Sequence, residues 1–373
     1  MKYDLSNAIQ YHYGMFPPQT LDYEQFVPEL LLATDAIARY DQMLKGMHNS
    51  EILLAPLRSQ EAVISSRMEG TISTLDEILR YEADYHEGQE ATASVRSEVV
   101  ETMLYQRALK NAQRAMESGQ PLSLSLVKTL HEQLLWFGRG ARKSPGKLKV
   151  EQNYLADKNQ RTIKFVPIAP EHLQSGLDAL FQHIDDDSRP ILLRAALAHV
   201  EFEALHPFED GNGRIGRMLI TLMLWASGCI CAPHFYISSY LEDHKHEYID
   251  IMRRVSQSGD WEGWCQFFLT AVHQQAVQNL AMAEDIRTLY EDMKLEFADL
   301  LASKWSVTAL DFIFANPVFR NNTFTGRAGI PTATAARFTR LLLEKGLLST
   351  LESASGRKPA MYSFEPLLRI VRV

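Results

Sequence analysis

Twelve consecutive residues, His206-Pro207-Phe208-Glu209-Asp210-Gly211-Asn212-Gly213-Arg214-Ile215-Gly216-Arg217, concentrate groups that handle phosphate. The glycines at 211, 213 and 216 allow positive φ and close backbone approach. Apolar spacing resumes at Ile215, Met218, Leu219 and Leu222. The run therefore lies where a helix begins, and unpaired N–H groups with the positive end of the dipole make an anion site there. Arg214 and Arg217, three apart on the first turn, project to similar sides and can clamp phosphates, with Ile215 and Gly216 completing the phosphate-binding run. Asp210 suits Mg²⁺, with Mn²⁺ as the alternative, because a hard cation is commonly shared between one carboxylate and substrate phosphates. His206, closing the preceding apolar helix, is a general base beside that cradle.

The elements that must position these groups are mostly helical. Helical pattern starts near Glu29, after an N-terminal arm punctuated by Pro17, Pro18 and Pro28. Gln60–Met68 reads as a helix ended by Gly70, and Thr74 with Glu77 forms a capping box for Leu75, Ile78 and Leu79. Leu192, Ala195, His199, Phe202 and Leu205 share one face of a helix opened by Ser188 and Pro190. Lys149–Tyr154 and Thr162–Val166 flank polar Asp157-Lys158-Asn159-Gln160, which predicts a β-hairpin. A polar helical stretch from about Ala271 to Lys304 is expected to join this body to a tail.

The 373 residues are 46% hydrophobic and 23% charged, which excludes extensive disorder and implies two or three domains. Cys229, Cys231 and Cys265 form no disulfide framework and no C-x-x-C zinc pair. The longest apolar run, Met218–Ala232, is interrupted by Thr221, Ser227 and Gly228, so no membrane span is expected, and with no signal peptide legible a cytoplasmic location is expected. The net charge of −8 divides into +5 over 327–373 and −13 over the remainder, which suggests a tail with its own kind of partner.

The twelve-residue run resembles the signature of the Fic (filamentation induced by cyclic AMP) family, H-x-F-x-D/E-G-N-G-R-x-x-R, at every defined position. Pro145-Gly146-Lys147 through Phe165-Val166-Pro167 resembles that family's flap, and Asp260-Trp261-x-x-Trp264 with Phe267-Phe268-Leu269 resembles the end of its core. The resemblance implies transfer of AMP from ATP to a Ser, Thr or Tyr hydroxyl of a protein, with release of pyrophosphate. His206 would take the hydroxyl proton, and Phe208 would anchor the loop. Asp210 would hold the metal between the α- and β-phosphates. Asn212 with the Gly211 and Gly213 amides would cradle the phosphates, and Arg214 and Arg217 would hold the β/γ end.

Ser65-Ser66-Arg67-Met68-Glu69-Gly70 is similar to the family's inhibitory motif, S/T-x-x-x-E-G/N. Ser65 and Glu69 share one helix face, and the resemblance implies that Glu69 pairs with Arg217 and blocks productive ATP binding. It also implies that Thr162, Ile163, Lys164 and Phe165 of the flap receive an extended target segment, that Tyr240 and Tyr248 contact the nucleotide, and that the protein forms a homodimer.

From Ser306 the pattern predicts helix, helix (Phe324–Gly329), turn, helix (Thr332–Glu344) and two strands (Leu347–Thr350, Ala360–Phe364) around a basic wing. Phe338, Leu341 and Leu342 are expected inward, and Thr334, Arg337 and Arg340 outward. This is similar to a winged helix-turn-helix module, in which Arg337, Arg340, Arg357 and Lys358 would contact DNA, protein docking being the other use of such a module. The expected fold class is mainly α, a Fic-type helical core with a β-hairpin flap and a C-terminal winged helix-turn-helix domain. The expected segments are 1–110 (inhibitory helix around 60–70), 111–280 (core), 281–305 (linker helix) and 306–373 (winged module). Two alternatives accompany adenylyl transfer: a DNA-binding regulator that senses ATP and modifies only itself, and removal of AMP by the same site, with Glu69 aligning water.

Overall fold

The computed structural model describes residues 5–84, 95–156 and 162–372; the expected hairpin turn at 157–160 lies outside them. In chain order the first elements are β1 (Ile9–Gln10), α1 (Val27–Gly46), α2 (Ser50–Leu53), α3 (Ala55–Met68), α4 (Leu75–Asp84), α5 (Ser97–Glu117) and α6 (Leu124–Leu134). There follow β2 (Leu155–Ala156), β3 (Ile163–Val166), α7 (Pro170–Asp185), α8 (Ile191–Leu205), α9 (Asn212–Ala226), α10 (Ser238–Asp243), α11 (Lys245–Ser258) and α12 (Trp261–Leu301). The chain ends with α13 (Ser306–Ala315), β4 (Val318–Arg320), α14 (Asn321–Arg327), α15 (Thr332–Glu344), β5 (Ser349–Glu352), β6 (Met361–Ser363) and α16 (Glu365–Val371). Among the described residues no helix is long and apolar enough to cross a membrane.

Contacts gather the chain into two units, each drawn from three stretches: 1–41, 64–70 and 104–277 in one, 42–63, 71–103 and 278–373 in the other. In the first unit α8 and α9 form the centre. Both are buried on nearly every face, and their sequences are apolar apart from a few buried polar groups such as His199, Glu201, Arg214 and Arg217. Gly216 makes their close approach feasible, since a Cβ there would stand 2.7 Å from Glu203 Oε1 and 3.3 Å from Phe202 Cδ1. Trp264 of α12 is fully buried and donates its indole N–H to the Ala196 carbonyl at 2.8 Å, tying α12 to α8. A three-stranded sheet, ordered β1-β3-β2, flanks this core, with β1 parallel to β3 and β2 antiparallel to it.

Two expectations are corrected here. Lys149–Tyr154 forms no strand, because its polar groups bond to the loop after α8, and only Leu155–Ala156 pairs with β3. The N-terminal arm also supplies a strand, β1, which two residues are too short to announce by alternation. The predicted capping box forms as expected: the Thr74 amide donates to Glu77 Oε2 at 2.9 Å and the Glu77 amide to Thr74 Oγ1 at 3.2 Å.

The second unit carries the antiparallel sheet β4-β6-β5 with α13 to α16. Helix α15 spans the predicted residues, while the shorter helix begins at Asn321 rather than Phe324 and the strands are Ser349–Glu352 and Met361–Ser363. Strand β4 and helix α16 were not anticipated. On α15, Phe338 and Leu342 are buried as expected, Leu341 is half-buried, and Thr339 takes the remaining inward position. Arg320 on β4 is buried between Asp84 and Glu352, with contacts of 2.6 Å to each. This fixes α4 and β5 against the middle of that unit, since a charge so enclosed must be paired.

Truncating Trp264 to Ala is expected to lower the unfolding free energy of the first unit by about 3–5 kcal/mol. Thr74→Ala in the second is expected to cost about 1 kcal/mol. Urea melts of both variants beside the parent check the ranking.

Candidate active site

Helix α8 ends at Leu205, and His206 caps it in the left-handed region (φ 46°, ψ 61°). Gly211 is also left-handed (φ 81°) and caps the start of α9. A non-glycine residue at positive φ needs support from its surroundings. Here the support is a set of bonds to carbonyl groups. Lys149 Nζ donates to the Leu205 carbonyl at 2.9 Å, and the Lys149 amide donates to that of Pro207 at 2.8 Å. Asn153 Nδ2 donates to the carbonyls of His206 and Phe208 at 3.0 and 3.1 Å. The Asn212 side chain closes the loop on itself, accepting from the Phe208 amide and donating to the Phe208 carbonyl, both at 2.9 Å.

His131 of α6 completes the support. Its ring lies flat against the fully buried Phe208, with centroids 3.7 Å apart. The Gly146 amide donates to His131 Nδ1 at 2.9 Å, so the proton sits on Nε2 and is donated to the Asp210 carbonyl, also at 2.9 Å. Burial holds this imidazole neutral, with its pKa down to about 4. Asn212, Gly213 and Arg214 form the first turn of α9, the end of a helix that favours an anion.

A cavity of about 350 Å³ opens beside this helix start, lined among others by Glu69, Phe165, Glu203, His206, Gly213 and Arg217. His206 Nδ1 meets no hydrogen-bond partner, and burial, then the charge of Lys149, lowers its pKa to about 4. At neutral pH it is therefore an unprotonated base facing the cavity. Arg217 is buried and fully engaged: Nε donates to Ser65 Oγ, and Nη2 to the Ser65 carbonyl and Glu69 Oε1, all at 2.8 Å. Burial disfavours the charged form of Glu69, but Arg217 overrides it and holds the carboxyl below its usual range. Glu203 moves the other way, up to about 7, from burial and then the charge on Glu69. The end of α3 is further tied down by Arg67 to Glu242 and by Lys245 to the Met68 carbonyl.

Residues 27–114 match the model described as Fic/DOC family N-terminal, and residues 121–224 match that of the Fic/DOC family, together over half of the chain. The chain belongs to the Fic/DOC family. It is similar to protein adenylyltransferase fic-1 of Caenorhabditis briggsae, 32% identical over 110 residues that make up 29% of this chain and 20% of that protein. It is also similar to protein adenylyltransferase Fic of Aedes aegypti, 36% identical over 73 residues, 20% of this chain and 13% of that one. The chain thus spans about a fifth or less of the length of these curated relatives. Among solved structures, a Fic family protein from Desulfovibrio desulfuricans has the same fold, with a TM-score of 0.58 and 18% identity over 93% of this chain and 98% of that one. A fragment of Fic-1 from C. elegans gives a TM-score of 0.53 and 17% identity, covering 69% and 73%.

Within this Fic core the residues expected to bind phosphate fall into two groups. Gly213 and Arg217 line the cavity, at and just after the start of α9. Ile215 and Gly216 lie on the packed side, the Ile215 amide bonded to the Gly211 carbonyl and the Gly216 carbonyl bonded to His199. The Asn212 side chain shapes the loop rather than lining the cradle, because both its polar atoms are used on Phe208. Arg214 is buried, its Nη2 3.7 Å from Asp210 Oδ1. Asp210 is part-exposed at the loop, and one of its oxygens accepts from the Gly211 amide at 2.6 Å. That leaves a carboxylate suited to share a hard cation with phosphates. Among the described residues no cluster of three His, Cys, Asp or Glu forms a self-sufficient metal cage. Tyr248 lines the cavity and bonds His199 at 2.7 Å, whereas Tyr240 stacks on His244 and is not among the lining residues.

In the flap, Phe165 is flanked by β1 and β2, so no edge is open there; Thr162–Lys164 have no described strand on the side away from β2. In the other unit, Arg337 donates to the Leu301 carbonyl at 2.8 Å, Arg340 pairs with Glu344 and Lys358 with Glu352, while Arg357 is exposed. His131, Lys149, Asn153 and Glu203 were not foreseen as site residues. The only hint is a lone histidine on the apolar face of α6 and a carboxylate one turn before His206.

Because the imidazoles of His131, His199 and His206 have folded-state pKa values of about 4, 3 and 4, each takes a proton more readily when unfolded. Their stabilising effect is complete above about 6.5 and lost as pH falls through the window below it. Thermal melts are expected to weaken steadily from pH 7 to 5. His131→Gln should flatten that slope by about 1.4 kcal/mol per pH unit, one proton's worth.

Proposed function

We propose that this Fic protein transfers AMP from ATP to a Ser, Thr or Tyr hydroxyl of a target protein and of itself, under restraint by Glu69. The reading is carried by one observation: an unprotonated His206 and Gly213 at the start of α9 line one cavity with Arg217, which is already engaged by Glu69. The adenylyltransferase names of its relatives support the same chemistry.

In the forward reaction the hydroxyl oxygen forms a bond to the α-phosphorus as the bond to the pyrophosphate oxygen breaks. His206 accepts the hydroxyl proton. The amides of Gly213 and Arg214 and the Arg214 guanidinium hold the phosphates and offset the charge that moves onto the leaving group. Magnesium, when bound, would neutralise phosphate charge, and Asp210 is the residue that would hold it. Arg217 joins this set only when Glu69 releases it, so inhibition is competition between a carboxylate and a phosphate for one guanidinium. Residues Thr162–Lys164 offer the remaining strand edge for an extended target segment. The tail, 306–372, follows the element order of a winged helix-turn-helix with an added strand and end helix. Its DNA-facing use draws little support from Arg337, Arg340 and Lys358, whose charged ends bond within their own unit.

Glu69→Gly is expected to raise incorporation of AMP from labelled ATP at least tenfold over wild type, with His206→Ala abolishing it in either background. Intact mass and autoradiography check both. Equal labelling of wild type and Glu69→Gly would sink the inhibitory role.

A further inference from the structure

We propose that Lys149 and Asn153 are a positioning pair that holds His206 in its reactive turn and keeps it in the proton-accepting form; this rests on the adenylyl-transfer reading. Lys149 is buried, and its ammonium touches two oxygens, the Leu205 carbonyl and Asn153 Oδ1, both at 2.9 Å. Neither is a carboxylate, so among the described residues no bonded opposite charge accounts for burying it. Its position does: Lys149 orients Asn153 through Oδ1, which leaves Nδ2 to bracket the turn at the carbonyls of His206 and Phe208. One short strap thereby spans the four residues from the end of α8 to the loop anchor, with His206 in the middle.

The charge has a second consequence. The charged groups around His206 are Lys149 on the strap, Glu69 in the turn after α3, Asp210 on the loop, and Glu203, Arg217, Lys245 and Arg253 on the cavity walls. After burial, Lys149 is the main influence against protonating the ring, while Glu69 and Asp210 act in favour of it. Lys149 itself is pushed down to about 7 by burial, so it carries most charge below that value, where protonation of His206 would cost activity. Losing the lysine charge therefore exposes the base to acid, and losing the asparagine loosens its geometry without that effect.

The test uses the full chain with Glu69→Gly as the parent, comparing Lys149→Met, Lys149→Arg and Asn153→Ala by AMP incorporation from about pH 3 to 7, the range that brackets the lowered His206. The acid limb of Lys149→Met is expected to move up by about half a pH unit or more, and Lys149→Arg to return it toward the parent. Asn153→Ala is expected to lower kcat about tenfold, with the KM for ATP little changed and the limb in place. A merely structural lysine would lower activity equally at all pH values. That outcome, or a limb that stays put in Lys149→Met, overturns the proposal. Histidine-selective NMR titration of His206 in the same variants gives the ring's behaviour without turnover. If the parent incorporates no AMP, the transfer reading fails, and the titration still decides whether Lys149 tunes His206.

Discussion

The loop between α8 and α9 depends on the bonding of its own carbonyl groups. A turn that leaves one helix through a left-handed histidine and enters the next through a left-handed glycine has few internal partners for its backbone. The partners come from outside: Lys149, Asn153 and His131 take up the carbonyls of Leu205, His206, Pro207, Phe208 and Asp210. The stacked His131–Phe208 pair adds a floor beneath the loop.

The second theme is how few charges the site uses and how unequally it treats them. Arg217 is buried with one carboxylate bonded to it and another close by; Glu69 stays ionised on it, and Glu203 is pushed toward neutrality. Burial acts on all of these groups. What separates them is which one has the guanidinium within hydrogen-bond reach. His131, His199 and His206 have no carboxylate bonded to the ring, so burial dominates and they remain neutral. An unprotonated His206 and a carboxylate-paired Arg217 therefore share one cavity.

Much of this was legible before any coordinates. The signature run, the capping box at Thr74, the helix Thr332–Glu344 and the i,i+4 pair Ser65 and Glu69 are local patterns, and each appears where its spacing puts it. The misreadings share a cause. Lys149–Tyr154 alternates like a strand, but its polar residues face a loop far along the chain, and no local period reports that. Ile215 and Gly216 sit among phosphate-binding residues in the sequence, yet helical rotation turns them toward α8.

By itself the sequence determined the chemical vocabulary: a base, a glycine-rich helix start, two arginines, a carboxylate for a hard cation, and a mainly helical scaffold from its periodicity. Tertiary structure decided who meets whom. That Glu69 reaches Arg217 across 148 positions, that Lys149 and Asn153 buttress His206, and that β1 pairs with β3 all depend on packing between distant segments. Such contacts arise from the burial of whole helix faces, and burial is a property of the assembled chain that neighbouring residues do not encode.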